Sequence, residues 1–190
     1  MDDGFQNPQL VMDLSLIVID GGAGFGNGRI IPAGPLRERL HAGIKRADAA
    51  IVIGMDISNA EAALGGQLPI LNARFVPAPE TPSLAGIPIV AFAGIGRPGK
   101  FFASLRETGC DLKAVHGFPD HHVFAPEEIA AILEQAAALG ATAMTTAKDF
   151  VRLPADAHNM VEVFHVMLEW DAPDDISALV NRAVTRPPNG

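Results

Sequence analysis

The chain has 190 residues, of which 48% are hydrophobic, and it carries 22 acidic against 14 basic side chains, for a formal net charge of -8. This composition predicts a folded protein with a sizeable core and excludes intrinsic disorder. The negative charge argues against a DNA- or RNA-binding protein, because nucleic-acid affinity comes mostly from clustered Lys and Arg. The single cysteine, Cys110, excludes an internal disulfide. With no signal-like start and no apolar stretch of membrane-spanning length, we expect a cytoplasmic protein.

Short apolar runs recur along the chain at intervals long enough for a helix, which is the spacing of β-α-β units. Buried parallel strands are predicted at residues 14–20, 49–54, 87–93 and 142–146, and residues 112–115 form a further apolar run. Helices are predicted over residues 101–108, 127–139 and 174–184, where Pro precedes and Gly or Pro follows. Residues 68–79 and 160–170 are extended without a helix of their own, and we expect them to pair with each other. The pattern predicts an α/β fold.

A glycine-rich turn follows the third predicted strand. The seven residues from Gly94 to Lys100 match the pattern G-x-x-x-x-G-K, in which backbone amides and a lysine hold phosphate oxygens. Phe101 stands where that pattern has a hydroxyl for Mg²⁺, and Pro98 removes one amide from the loop. The simpler interpretation is a strand-to-helix turn whose helix begins at the proline. In either case Arg97 and Lys100 are candidates for facing a phosphate.

A second glycine-rich segment, residues 21–28, follows the first predicted strand. No frame of it matches the dinucleotide-binding pattern G-x-G-x-x-G, so this sequence does not predict a Rossmann site. The segment is either a structural loop that requires positive φ or a loop shaped around a ligand.

Side chains suited to proton and phosphate chemistry follow two of the later strands. Asp120 and His121 come after the apolar run at 112–115, and histidine is the usual proton carrier near neutral pH. The alternative is a loop histidine that bonds to a carbonyl. Lys148 follows the strand at 142–146 and could meet a phosphate, although the same turn suits helix capping by Asp149.

Two charged pairs occur in the N-terminal part of the chain. Asp2 and Asp3 are adjacent carboxylates of the kind that bind Mg²⁺ at the mouth of a parallel sheet, and solvated surface acids are the alternative. Arg37 and Glu38 could clamp an anionic or hydroxylic group, or form an ordinary surface ion pair.

Eight short motifs follow one another in an order that strongly resembles the tetraacyldisaccharide 4'-kinases, the lipid A 4'-kinases of Gram-negative bacteria. The motifs are DDGFQ from Asp2, DLSL from Asp13, GFGNGR from Gly24, PAGPLRE from Pro32, RAD from Arg46, FAGIGRP from Phe92, FPDHH from Phe118 and TTAKD from Thr145. The resemblance extends to about Leu153.

The resemblance implies ATP- and Mg²⁺-dependent transfer of the γ-phosphoryl group to the 4'-hydroxyl of tetraacyldisaccharide 1-phosphate, the lipid A precursor, at the cytoplasmic face of the inner membrane. It also implies a P-loop-kinase-like three-layer α/β/α fold with two lobes joined by a two-stranded linker. The roles implied by the same matching are metal binding for Asp2 and Asp3, substrate binding for Gln6, Arg37 and Glu38, and catalysis for Asp120 and His121.

In that family the Walker A loop and a membrane-associating helix precede the motif at Asp2. We therefore expect the chain to be the C-terminal part of such a kinase, unable to bind ATP tightly by itself. The expected division is an incomplete N-terminal lobe over 1–66, a linker strand over 67–82, a second lobe over 83–157, and a return strand with a C-terminal helix over 158–190. The alternative function is a non-enzymatic anion- or nucleotide-binding α/β protein that uses residues 94–100.

Overall fold

The computed structural model describes residues 4–7, 9 and 11–185; Asp2 and Asp3 lie outside the described residues. The strands are β1 (Leu16–Asp20), β2 (Ala49–Ile53), β3 (Ile70–Pro77), β4 (Pro88–Ala93), β5 (Asp111–Gly117), β6 (Thr142–Thr146), β7 (Val161–Phe164) and β8 (Val166–Trp170). The helices are α1 (Leu40–Ile44), α2 (Ala60–Leu64), α3 (Pro98–Glu107), α4 (Pro126–Ala138), α5 (Ala147–Phe150) and α6 (Pro173–Thr185). In the described part of the chain, no helix combines the length and the apolar character that crossing a bilayer requires.

The chain divides into two compact units, each with its own sheet. The first unit comprises residues 1–75 and 168–190, and the second comprises residues 76–167. The chain passes between them twice, within β3 and within β8, which are neighbours in one sheet. Strands and helices alternate in both units, so the predicted α/β fold is confirmed.

The first unit is built on a four-stranded sheet of order β1-β2-β3-β8, in which β1, β2 and β3 run parallel. Strand β2 is buried along nearly its whole length, because side chains on both of its faces enter a core. Val52 belongs to a cluster with Leu64 of α2, and Ile51 to a second cluster with Leu179 of α6. Burial on both faces explains why this strand reads as a continuous apolar run.

The second unit is a three-layer arrangement around a parallel sheet of order β5-β4-β6-β7. Strand β4 lies inside the sheet, and five of its six residues are buried. One face of the sheet packs against Ile129 and Ile132 of α4, and the other against Phe101 and Leu105 of α3. The chain leaves β4 for β5 on one side and returns to β6 on the other, so the strand order reverses beside β4.

The predicted helix boundaries in this unit are confirmed to within about three residues. Helix α3 has Pro98 in its first turn, and α4 begins at Pro126, as proline's missing N–H and preset φ favour. Gly140 follows α4 with a φ of 59°, the left-handed conformation that commonly ends a helix.

The extended segment at 160–170 differs from the prediction, because it forms two strands that join different sheets. Only β8 neighbours β3, whereas β7 pairs in parallel with β6. Val161 and Phe164 of β7 are buried in the two clusters of the second unit, one on each face. Their burial in that core holds β7 beside β6 and leaves only the residues after His165 to pair with β3.

Candidate functional site

The carboxyl edge of the second sheet is the first candidate site. In open parallel sheets, ligands bind outside the carboxyl ends of the strands where the strand order reverses. Here that point lies between β4 and β6. Gly94 follows β4, residues 118–122 follow β5, and Lys148 follows β6, so three predicted motifs meet at this edge.

Asp120 and His121 lie in the loop after β5 and expose their side chains. The His121 ring is 88% exposed and the Asp120 side chain 54%, and Nε2 of His121 lies 3.8 Å from Oδ2 of Asp120. His121 has a φ of 59°, which is uncommon for a residue other than glycine. Its backbone N–H donates both to Asp120 Oδ1 and to the carbonyl of Gly94, each over 3.0 Å. The two predicted catalytic side chains are therefore presented to solvent by a loop held through its backbone.

An ion pair between Arg152 and the fully buried carboxylate of Asp149 lies beneath this loop. The Asp149 side chain is fully buried and accepts hydrogen bonds from the Gly94 amide (3.0 Å), the Thr146 hydroxyl (2.8 Å) and Arg152 Nη2 (2.6 Å). Arg152 also donates to the carbonyls of Gly94 (3.3 Å) and His122 (3.4 Å). The pair thus connects the turns that follow β4, β5 and β6.

His122 points away from solvent and joins the loop to α4. Its ring stacks on Phe118 at 4.7 Å between centroids, and its Nε2 lies 2.8 Å from Glu128 Oε2. The Ala125 amide donates to the same carboxylate, and this bond, followed by the one to His122, holds the pKa of Glu128 below its ordinary value. His122 is therefore a structural residue, in contrast to the exposed His121.

The turn from Gly94 to Lys100 has the geometry of the simpler interpretation. Pro98, Gly99 and Lys100 belong to α3, and Phe101, at the position of the P-loop hydroxyl, is buried in the core. A triphosphate cradle uses successive free amides of the loop and helix N-terminus together with a hydroxyl, whereas Pro98 has no N–H and Phe101 no hydroxyl. Arg97, Lys100 and Lys148 are exposed at the carboxyl edge, where they remain candidates for facing a phosphate.

A second cluster in the first unit brings together two of the predicted substrate-binding residues. The Gln6 side-chain amide donates to Glu38 Oε1 over 2.8 Å. Arg46 forms an ion pair with the same carboxylate, donates to the Phe5 carbonyl (2.8 Å), and has its guanidinium 4.4 Å from the Phe5 ring centroid. Arg46 therefore organises a cluster that includes Gln6 and Glu38, while Arg37 next to them is exposed.

The glycine-rich segment after β1 is a sequence of tight turns, as the structural interpretation of residues 21–28 predicts. Gly24, Gly26 and Gly28 have φ values between 53° and 67°. A Cβ at Gly21 would lie 2.6 Å from the carbonyl oxygen of Met55, so this glycine permits close approach to the turn after β2. In that turn, amides of Glu61 and Ala60 donate to Asp56 and lower the pKa of its carboxyl.

Among the described residues, no group of three or more His, Cys, Asp or Glu side chains is placed to hold a metal ion. A cavity of about 400 Å³ in the first unit is lined by Asp13, Asp48, Pro69 and Arg182 among others. Three of these residues precede β1, β2 and β3, so the cavity lies at the amino edge of the sheet. Ligands of parallel sheets bind at the opposite edge, and this cavity is not a candidate active site.

Sequence reasoning missed the roles of Asp149, Arg152 and Arg46. The sequence suggests Asp149 only as a helix cap, whereas the cap of α5 is Thr146, whose hydroxyl accepts from the Asp149 amide over 3.1 Å. The available signal was the spacing of Asp149 and Arg152, which places opposite charges three residues apart at the end of a buried strand.

The model of the tetraacyldisaccharide-1-P 4'-kinase family matches residues 1–185. A tetraacyldisaccharide 4'-kinase of Paramagnetospirillum magneticum is 54% identical over 187 residues, which are 98% of this chain and 58% of the relative. That of Rhodospirillum rubrum is 51% identical and is covered to 57% of its length. The crystal structure of LpxK from Aquifex aeolicus in complex with ATP is similar with a TM-score of 0.64 and 26% identity, over 96% of this chain and 56% of that one. The chain thus spans somewhat more than half the length of these relatives.

Proposed function

Since this chain belongs to the tetraacyldisaccharide-1-P 4'-kinase family, we propose that it takes part in the ATP-dependent phosphorylation of the 4'-hydroxyl of tetraacyldisaccharide 1-phosphate in lipid A biosynthesis. The acceptor carries acyl chains that anchor it in a bilayer. The proposed location of the reaction is the cytoplasmic face of the bacterial inner membrane, where the protein would act as a peripheral enzyme on this anchored acceptor.

In this proposal His121 assists the removal of the proton from the 4'-hydroxyl. The oxygen forms a bond to the γ-phosphorus as the bond from that phosphorus to the β,γ-bridging oxygen breaks, so that ADP leaves with the bonding electrons. Asp120 orients the imidazole from a distance of 3.8 Å. ATP supplies the phosphoryl group. Asp2 and Asp3 are the proposed ligands that would hold Mg²⁺, which would neutralise charge on the phosphates.

Three further residues are proposed to bind the substrate. Gln6 and Glu38 belong to the hydrogen-bonded cluster around Arg46, which keeps an amide and a carboxylate in one place. Such groups recognise sugar hydroxyls, and the neighbouring Arg37 provides a positive charge for a phosphate. Arg97, Lys100 and Lys148 at the carboxyl edge of the second sheet are the proposed cations for other phosphate oxygens.

The exposure and position of the His121 side chain are the main support for the proposal. Its imidazole is exposed at the end of β5, where parallel sheets hold ligands, and its carboxylate neighbour comes from the same loop. The adjacent His122, in contrast, is engaged by Glu128 and two phenylalanine rings.

The test is a phosphate-transfer assay with the longest polypeptide that the gene encodes. Transfer from ATP to tetraacyldisaccharide 1-phosphate is measured for the unchanged protein, for His121→Ala and for His165→Ala, a second exposed histidine of the same unit. We expect kcat to fall by about 10² to 10⁴ for His121→Ala, the usual contribution of a proton-transferring side chain, and to stay unchanged for His165→Ala. Unchanged turnover of His121→Ala would contradict the proposal.

A further inference from the structure

We infer that Asp149 and Arg152 are positioning residues for His121, acting through the peptide group of Gly94. The inference rests on the proposed role of His121 and adds two residues that touch neither substrate nor cofactor in that proposal. Neither residue is part of the loop that carries His121.

Asp149 is a buried charge with a complete set of partners. Its side chain has no exposed surface, and its two carboxylate oxygens accept from Gly94, Thr146 and Arg152. Burying a carboxylate is costly unless it is paired and hydrogen-bonded, and removing one partner leaves a buried charge uncompensated. The hydrogen bonds of Asp149 therefore hold the turn after β4 in contact with the end of β6.

The Gly94 peptide connects this pair to His121. Its amide donates to Asp149 Oδ2 over 3.0 Å, and its carbonyl accepts from Arg152 Nη2 over 3.3 Å. The same carbonyl accepts from the backbone amide of His121 over 3.0 Å. Arg152 reaches the loop a second time through the His122 carbonyl. Two residues after β6 therefore fix the backbone on both sides of the His121 side chain.

His121 needs this support because its ring has only a distant partner among the described residues, Asp120 Oδ2 at 3.8 Å, which is beyond hydrogen-bond distance. A φ of 59° in a residue with a Cβ is held only where neighbouring groups determine the conformation. Its ring is 88% exposed, so packing contributes little to its orientation. The direction in which the ring projects is therefore set mainly by the backbone, which Gly94, Arg152 and the Asp120 carboxylate hold by hydrogen bonds.

The test is a double-mutant cycle between Asp149→Asn and His121→Ala, in the longest polypeptide that the gene encodes, with kcat and KM measured for ATP and for the disaccharide. Asp149→Asn keeps the shape of the side chain and removes the charge. We expect kcat to fall by about 10- to 100-fold, the cost of a displacement of about 1 Å, with both KM values within about twofold. In the His121→Ala background, Asp149→Asn should cause no further loss.

Thr145→Val is the matched control, because Thr145 is also fully buried near the end of β6 but donates to the Phe92 carbonyl rather than to the loop. The kcat of Thr145→Val should equal that of the unchanged protein. Should Asp149→Asn fail to fold, Arg152→Lys serves instead, since lysine keeps a cation beside Asp149 but cannot reach both carbonyls. A second readout, on this chain alone, is hydrogen exchange of the His121 amide, which should lose protection in Asp149→Asn and keep it in Thr145→Val.

Each of three results would overturn the inference: an unchanged kcat in Asp149→Asn, an additive loss of kcat in the His121→Ala background, or unaltered hydrogen-exchange protection of the His121 amide. Failure of the proposed function has a different signature. It appears as unchanged turnover in His121→Ala alone, and it overturns the positioning role as well.

Discussion

Gly94 and Gly99 lie five residues apart in one turn and are glycine for different reasons. A Cβ at Gly94 would lie 3.0 Å from His122 Cβ and 3.3 Å from both the Pro119 carbonyl oxygen and Phe124 Cζ. A Cβ at Gly99 would meet no atom within 4 Å beyond its chain neighbours and the backbone of its own helix, and the residue lies in the first turn of α3. Contact with the loop of His121 therefore requires the first glycine, whereas the second is only a poor helix former.

Gly94→Ala is expected to destabilise the protein by about 1 to 3 kcal/mol, the usual cost of overpacking a core position. Because the added methyl group pushes on Pro119 and His122, kcat should fall as well. Urea unfolding and the phosphate-transfer assay measure the two effects. An unchanged free energy of unfolding in Gly94→Ala would contradict this prediction, because it would show that the loop can move to accommodate the methyl group without loss of stability.

Gly99→Ala is expected to raise the free energy of unfolding by about 0.5 to 1 kcal/mol, since alanine is the better helix former. It should leave the affinity for Mg-ATP unchanged, because residues 94–100 do not form a phosphate cradle. Calorimetry with Mg-ATP measures the affinity. Loss of micromolar binding in Gly99→Ala would favour the alternative of an anion- or nucleotide-binding protein.

At the scale of elements, the start of α4 is joined to the loop that carries His121. Glu128 accepts from the Ala125 amide at the beginning of the helix (2.9 Å) and lies 2.8 Å from the His122 ring nitrogen. A carboxylate in the first turn also interacts favourably with the helix dipole. The helix end and the loop that carries His121 therefore share one charged group.

This sharing predicts a pH dependence of stability. The pKa of Glu128 is lowered in the folded state, first by the Ala125 amide and then by His122. Its contribution is therefore fully present above the unfolded-state pKa, about 4.3 for glutamate, and is lost as the pH falls through the lower folded-state pKa. Urea unfolding between pH 3 and pH 7 should show Glu128→Gln less stable than the unchanged protein at pH 7 and the difference shrinking towards pH 3. Glu127→Gln, on the same turn, is the control, and a difference independent of pH would contradict the prediction.

At the scale of the whole molecule, the chain contains one continuous and one discontinuous unit. Residues 76–167 form the second unit without a break, whereas the first unit requires both chain segments, 1–75 and 168–190. The second unit has core clusters on both faces of its sheet. We therefore expect it to fold independently, which the first unit cannot do from residues 1–75 alone.

The boundaries of this unit can be tested by comparing the polypeptides 76–167 and 83–157. The longer one retains β7, whose Val161 and Phe164 are buried in the two clusters. Burial of such side chains contributes about 1.5 to 3 kcal/mol each, so the longer polypeptide should unfold cooperatively and the shorter one at much lower urea concentration or not cooperatively at all. Circular dichroism during urea titration provides the measurement. Equal midpoints would show that β7 is dispensable and that residues 83–157 are a sufficient lobe.

The sequence by itself determined the features that depend on neighbours along the chain. Apolar runs predicted β1, β2, β4 and β6. Strands β2 and β4 are buried on both faces and therefore have no polar face, whereas β1 exposes Val18 and is only partly buried. Pro98 and Pro126 predicted where α3 and α4 begin, since proline's effect on the backbone is local. The Asp120 and His121 motif was also recognisable, because its residues are adjacent and follow a strand.

Only the tertiary structure decided what depends on residues far apart in the chain. Asp149 and Gly94 are 55 residues apart, and no local pattern indicates that the carboxylate accepts from that amide. The assignment of β7 to one sheet and β8 to the other was likewise not predictable, because both have similar β-forming residues and sheet membership follows from core burial. The same holds for Arg46, whose partners Phe5 and Glu38 are brought to it by the fold. Hydrogen bonds and buried contacts depend on which residues the fold brings close together. Local sequence patterns identify the residues but do not show which distant ones are in contact.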